Sequence, residues 1–201
     1  MTAVTTVALC GVGGQGTILA GDVLARTAAA AGLDVKLSEV HGMSQRGGSV
    51  DTTVRFGDCV HAPIVSAGEV DVLVAFEIIE AARWTRFLKP GGALFVNQRT
   101  IQPLPVLTGA LPAPVGLLEA LEREGAIFID AESVACEVAS PRSANLVLMG
   151  ALSTALPFEV SLWEAVIEGR VPAKTVEANI AAFTHGRAAC QSGCVQGGTQ
   201  A

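Results

Sequence analysis

LCGVGGQGTILAGDVLA, residues 9–25, decides the fold. The apolar run that feeds it, VTTVALC at 4–10, reads as a buried strand. Gly11-Val12-Gly13-Gly14-Gln15-Gly16 then satisfies the G-x-G-x-x-G spacing, in the strand-to-helix context where that spacing has meaning. From Gln15 to Ala31, the residues Ile18, Leu19, Val23, Leu24 and Ala28 recur at helical spacing, and Gly32 stops the helix. VKLSEV at 35–40 reads as the second strand. A strand, glycine turn, helix and strand in succession predict a parallel sheet with a right-handed crossover.

Working outward, the pattern changes at residues 41–49, which read as a loop. VDTTVRF at 50–56 alternates, with Val50, Thr52, Val54 and Phe56 on one face and Asp51, Thr53 and Arg55 on the other. That predicts a half-exposed strand, antiparallel to its neighbours. DVLVAF at 71–76 is a buried strand, followed by a helix over 77–88 that Lys89-Pro90-Gly91-Gly92 ends. ALFVN at 93–97 is the next strand. Four prolines at 103, 105, 112 and 114 predict a surface excursion or edge segment. A helix over 115–124 leads to the strand AIFID at 126–130, and the chain then turns helical over 143–156, 160–169 and 173–188. The first of these helices is apolar nearly all round, which predicts burial. The expected fold is α/β: a mostly parallel sheet flanked by helices, a Rossmann-like three-layer arrangement with C-terminal helices. Residues 1–190 form one domain and 191–201 a disordered tail.

Half of the 201 residues are apolar, but there are only seven Phe, two Trp and no Tyr, so the core is aliphatic. The formal charge of −6 is spread without a basic run, and nucleic-acid binding, which needs clustered Lys and Arg and stacking aromatics, is not expected. No apolar stretch reaches the about 18 residues that cross a bilayer, and no basic residue precedes Arg26, so a cytoplasmic chain with no membrane partner is expected. Cys10, Cys59, Cys136, Cys190 and Cys194 are odd in number and scattered, which favours buried reduced thiols.

Glycine at 11, 13, 14 and 16 permits positive φ and close approach of backbone N–H groups to an anion at the start of a helix. Glu39 lies at about the distance at which a dinucleotide fold places its ribose-binding carboxylate. The same glycines also suit a tight corner with no ligand. The second loop, Gly42-Met43-Ser44-Gln45-Arg46-Gly47-Gly48-Ser49, is more specific. Arg46 offers a planar fork for carboxylate or phosphate, Ser44 and Gln45 offer hydrogen bonds, and Gly47 and Gly48 let the backbone come close to a guest. Both loops are expected at the carboxyl edge of the sheet.

These residues resemble a known family. GVGGQG after the first strand and SEVHGMSQRGGSV at 38–50 are similar to the gamma-type domain of 2-oxoacid:ferredoxin oxidoreductases, with the MSQRGG form that resembles the indolepyruvate or arylpyruvate branch. NLVLMGAL at 145–152 supports the likeness. The resemblance implies a subunit that holds no cofactor of its own, inactive alone. Its partner is a large alpha subunit carrying thiamine diphosphate, magnesium and 4Fe-4S clusters, and ferredoxin is met through the complex. Coenzyme A is a substrate, and the products are acyl-CoA, carbon dioxide and reduced ferredoxin. It further implies that Gly11, Gly13, Gly14, Gln15 and Gly16, with Ser44, Gln45, Arg46, Gly47 and Gly48, frame a site for coenzyme A or the thiamine diphosphate, or meet the partner. Gln15 is expected to donate to a phosphate or amide. The alternative is a self-contained NAD(P)- or flavin-binding oxidoreductase.

The chain agrees with that division of labour. Gly57-Asp58-Cys59 lacks the rest of a thiamine-diphosphate magnesium motif, and Cys190-x-x-x-Cys194 falls short of the four thiolates of a cluster. No catalytic residue and no metal ligand is assigned. His41, His61 and His185 show no zinc spacing; His41 borders the second loop, either as a site residue or as a hydrogen-bonded structural histidine. Glu77 reads as a helix-start carboxylate or a ligand contact, Asn145 as a helix cap, and Asn97 and Gln98 as facing the crevice at the strand ends.

Overall fold

The computed structural model describes residues 4–42, 48–138 and 141–196. In chain order the elements are β1 (Thr5–Val12), α1 (Thr17–Ala30), β2 (Asp34–His41), β3 (Ser49–Gly57), β4 (Val70–Ala75), α2 (Ile78–Trp84), β5 (Leu88–Asn97), α3 (Leu104–Leu107), α4 (Leu117–Arg123), β6 (Ile127–Ile129), α5 (Ala131–Glu137), α6 (Ala144–Leu152), α7 (Val160–Arg170) and α8 (Val176–Gln196). One six-stranded sheet runs in the order β2-β3-β1-β4-β5-β6. Strands β1, β4, β5 and β6 pair in parallel, whereas β3 is antiparallel to both β1 and β2. The expected α/β class and flanking helices are what the chain adopts.

Alternation along β1 explains the three layers. Val7 and Leu9 enter one apolar cluster with α1, α6, α7 and α8, while Ala8 and Cys10 enter the other with α2 and α4. Both faces of β1 are covered, so its residues from Thr6 to Val12 are buried. The sheet edges differ. β2 leaves Leu37, Glu39, Val40 and His41 exposed, and its polar and charged residues suit a strand paired on one side only.

Two expectations need correcting. The strand expected to be half-exposed at 50–56 is interior: β3 lies between β1 and β2, which keep the parallel sense expected of the β1–α1–β2 unit. The strand of residues 49–57 buries Val50, Thr52, Thr53, Val54 and Phe56 and takes the interior place, which leaves the more polar β2 outside. Lys89-Pro90-Gly91-Gly92 does not separate helix from strand. The helix closes earlier, at Trp84, through a 3-10 turn over Thr85–Phe87, and β5 begins at Leu88. The four residues are absorbed as an irregularity in the pairing with β4, between Val70 and Val72. Two boundaries also move. The last helix runs to Gln196, beyond the expected 188, and of the four cysteines whose side chains are described, Cys10 and Cys190 are buried but Cys59 and Cys136 are exposed.

Helix α6 is buried from Asn145 to Leu152, as its composition predicts. Its closest neighbour is α8, and two glycines set the approach. A Cβ on Gly150 would stand 2.0 Å from the Phe183 carbonyl oxygen, and one on Gly186 would stand 2.0 Å from that of Val147. The helices therefore touch backbone to backbone at reciprocal positions. In an ordinary helix, Gly to Ala stabilises by about 1 kcal/mol. Here Gly150→Ala and Gly186→Ala are each expected to destabilise by about 1–3 kcal/mol or more, because the obstacle is main chain and cannot swing aside. Urea denaturation of the two variants measures the sign.

Candidate functional site

The glycine turn stands at the carboxyl end of β1. Gly14 (φ +102°) and Gly16 (φ +84°) are left-handed, and Gly16 caps α1 without a side-chain bond. The N–H groups of Gly14, Gly16 and the first turn of α1 have no acceptor among the described residues. They are the orphan donors that helix starts offer to anions. Gly13 is engaged differently: its N–H donates to the Gly48 carbonyl at 2.9 Å. That bond joins the glycine turn to the far end of the second loop.

Between the two loops opens a cavity of about 510 Å³, walled by Gly13, Gly14, Gly16 and Thr17 on one side and by His41, Gly42 and Val50 on the other. His41 is exposed on this rim, and its side chain makes no hydrogen bond to a described residue. Ser44, Gln45, Arg46 and Gly47 lie outside the described residues; Gly42 and Gly48, which flank them, are both at this rim.

Gln15 does not point to a guest in the way its sequence context suggests. Its Oε1 accepts from the Val12 N–H at 2.6 Å, and its Nε2 donates to the Phe76 carbonyl at 2.9 Å. The side chain thus bridges the ends of β1 and β4, whose connections leave toward opposite faces of the sheet. This is the crevice where open α/β sheets ordinarily receive ligands. Gly11 makes room for the bridge: a Cβ there would lie 2.6 Å from Gln15 Oε1 and 2.8 Å from Phe76 Cβ. Asn97 extends the network. Its Nδ2 donates to the same Phe76 carbonyl at 3.1 Å, and its Oδ1 accepts from the Ala131 N–H at 3.1 Å, tying β5 and α5 to the crevice.

Spacing alone left three other residues unresolved. Asn145 is not the cap of α6, since Ser143 holds that position; it is buried, and its amide presses on Gly16, whose absent Cβ would meet Nδ2 at 2.7 Å. Glu77 is the cap of α2, accepting from the Ile79 N–H at 3.0 Å, from the Glu80 N–H, and from the Ile101 N–H at 3.4 Å. Burial pushes its carboxyl above the usual range against those bonds. Glu39 sits exposed on β2, opposite Thr52, with β3 separating it from β1. The geometry that would bring it to a ribose beside the glycine turn is absent.

Under the turn, on the α2 face, lies an acidic patch that sequence reading did not assemble. Glu80 accepts from the Ser49 hydroxyl at 2.6 Å and pairs with Arg83 at 3.4 Å. Burial and then Glu80 raise the Asp51 carboxyl. Burial, followed by Glu80, Glu77 and Asp51, raises the Cys10 thiol well above its ordinary value. A thiol so held is no nucleophile. Among the described residues no group of three or more His, Cys, Asp or Glu side chains is placed to hold a metal ion. No helix among the described residues is long and apolar enough to cross a membrane.

Comparison with known proteins adds three findings. Residues 6–189 match the family described as pyruvate ferredoxin/flavodoxin oxidoreductase. The chain is 41% identical, over 90% of its length and 93% of the relative's, to indolepyruvate oxidoreductase subunit IorB of Thermococcus kodakarensis, and the same subunit of Pyrococcus horikoshii gives the same values. The solved gamma subunit of a keto/oxoacid ferredoxin oxidoreductase from Geobacter sulfurreducens PCA superposes with a TM-score of 0.69 at 26% identity, covering 94% of this chain and 99% of that one.

Two tests follow from the geometry. Gln15→Ala strands the Val12 N–H and the Phe76 carbonyl and is expected to cost about 1–3 kcal/mol in urea denaturation. For Asp51 the folded value is raised, so its stabilising, protonated state is fully present below about pH 4 and is lost as pH rises through the raised value. Asp51→Asn is therefore expected to match the parent at about pH 4 and to become the more stable of the two by pH 8, read as a shift in denaturation midpoint.

Proposed function

This chain belongs to the pyruvate ferredoxin/flavodoxin oxidoreductase family, and from that premise we propose that it is the small subunit of an indolepyruvate-type 2-oxoacid:ferredoxin oxidoreductase. Its identity to two archaeal subunits of that name, over nearly their whole length, supports the reading. The large alpha subunit of the complex carries thiamine diphosphate, magnesium and 4Fe-4S clusters, and meets ferredoxin. In the overall reaction the C1–C2 bond of the 2-oxoacid breaks and C1 leaves as carbon dioxide. The acyl carbon is oxidised, its electrons passing to ferredoxin, and the sulfur of coenzyme A takes the acyl group.

The role of this chain is to bind and orient coenzyme A at the seam with its partner. The observation that carries this reading is the Gly13 to Gly48 bond, which fixes the two glycine loops on one rim around a cavity. Unpartnered N–H groups at Gly14, Gly16 and the start of α1 offer donors to a phosphate oxygen. Ser44, Gln45, Arg46 and Gly47 stand in the sequence between Gly42 and Gly48, and the Arg46 guanidinium offers the fork that suits a phosphate. Gly11 and Gln15 serve by shaping the turn. A nicotinamide or flavin reading loses its support where β3 removes Glu39 from the turn and Gln15 fills the strand crevice.

Alone, the chain is expected to show no turnover and to retain neither nicotinamide nor flavin. Adding the large subunit is expected to give ferredoxin reduction that depends on both an arylpyruvate and coenzyme A. In that reconstituted complex, Arg46→Ala is expected to raise KM for coenzyme A about tenfold or more, the scale of one lost charge-assisted contact, while the complex still elutes as one species. An unchanged KM with intact assembly refutes the role given to Arg46.

A further inference from the structure

Across the glycine turn from the His41 cavity lies another, of about 380 Å³, whose walls bring together Gly14, Asn97, Arg99, Glu132, Arg142 and Asn145. Of these groups, the coenzyme A reading above uses only the Gly14 N–H, which borders both cavities. Its distinguishing feature is Asn145. The residue is only 6% exposed, its Oδ1 is committed to the Leu146 N–H at 3.0 Å, and its Nδ2 has no hydrogen-bond partner among the described residues. The Nδ2 is not among the fully enclosed unpartnered atoms of the described residues, so an acceptor entering the cavity that Asn145 lines can reach it.

The surroundings agree on what that acceptor is. Arg99 is neutralised by Glu132 at 2.7 Å, but Arg142 is exposed and makes no ion pair among the described residues. The cavity therefore carries a net positive charge in a chain whose formal charge is −6. Residues 141, 142, 144 and 145 bring to it the N-terminal end of α6, a nine-residue helix that lacks a side-chain cap. From the opposite wall the Gly14 N–H is also unpartnered. The one carboxylate present is held by Arg99, and the Asn97 Oδ1 by the Ala131 N–H. Donors are left over on several sides and acceptors are not, which suits a tetrahedral anion with oxygens facing each wall.

We propose that this cavity is a phosphoryl-binding site, in which Asn145 Nδ2, the Gly14 N–H and the Arg142 guanidinium donate to the oxygens of one phosphate group. Two sources can supply it: free orthophosphate, or the 3′-phosphate that coenzyme A carries and dephospho-coenzyme A lacks. The site itself does not depend on the coenzyme A reading.

Titration of the full-length chain with orthophosphate, by calorimetry and by phosphorus NMR, is expected to show saturable binding of one equivalent. Arg142→Ala and Asn145→Asp are each expected to weaken it about tenfold or more. Displacement of the phosphate by coenzyme A but not by dephospho-coenzyme A identifies the 3′-phosphate as the natural occupant. Displacement by neither leaves free phosphate as the occupant and counts against coenzyme A binding on this side of the turn, with the site intact. Absence of saturable binding, or equal affinity in the parent and in variants that keep its thermal midpoint, overturns the proposal. Should Asn145→Asp fail to fold, the exposed Arg142→Ala decides the matter. If coenzyme A binds while orthophosphate does not, the site falls and the coenzyme A reading stands.

Discussion

The Gln15 amide, held between the Val12 N–H and the Phe76 carbonyl, is the contact on which the arrangement at the sheet's carboxyl edge depends. Strands β1 and β4 send their connections to opposite faces, so their ends diverge and leave a gap. One side chain spans it. Because the Phe76 carbonyl also accepts from Asn97, and Asn97 accepts from the start of α5, the ends of three parallel strands and a helix are drawn to one point. The glycine turn is then a consequence. Gly11 must lack a Cβ so that Gln15 can reach back, and Gly16 must lack one so that Asn145 can lie against it. Glycines that looked, by spacing, like a phosphate cradle divide into two kinds: Gly11 and Gly16 are required by packing, while Gly14, with nothing within 4 Å of a would-be Cβ, faces open space.

This division marks how far the sequence could be read. Local rules located β1, the turn, α1 with its Gly32 stop, the alternating β3 and the buried α6, because each depends on neighbours a few residues away. The insertion of β3 between β1 and β2 escaped, since pairing partners tens of residues apart leave no trace in periodicity. Lys89-Pro90-Gly91-Gly92 misled in a related way: a stop signal for a helix is also what a strand irregularity requires. At the site, the shared rim of the two loops was legible. The direction of the Gln15 side chain was not, because residue type and spacing say that an amide is present without saying which groups it meets. The acidic patch of Glu77, Glu80 and Asp51 draws on β3, the turn after β4 and α2, and only the folded chain assembles it.

Two groups beneath the glycine turn are committed by their surroundings. Cys10 is kept as a thiol by burial and by three carboxylates. Glu77 spends its oxygens on backbone N–H groups. What remains available is a set of backbone and side-chain donors on two sides of one turn, above an otherwise acidic body. Membership of an oxidoreductase family whose subunits assemble gives such a surface a use.

The place of β3 in the sheet also sets a timetable for synthesis. Every ladder bond of β1 goes to β3 or β4, and none to β2, which follows it in the chain. The apolar Val7–Cys10 stretch has no main-chain partner until residues 49–57 have been made and have folded back as a hairpin with β2. For that interval its unpaired edges are open to any extended chain nearby. Strand β1 is thus made before either of its ladder partners, and its two edges close one after the other as β3 and then β4 arrive.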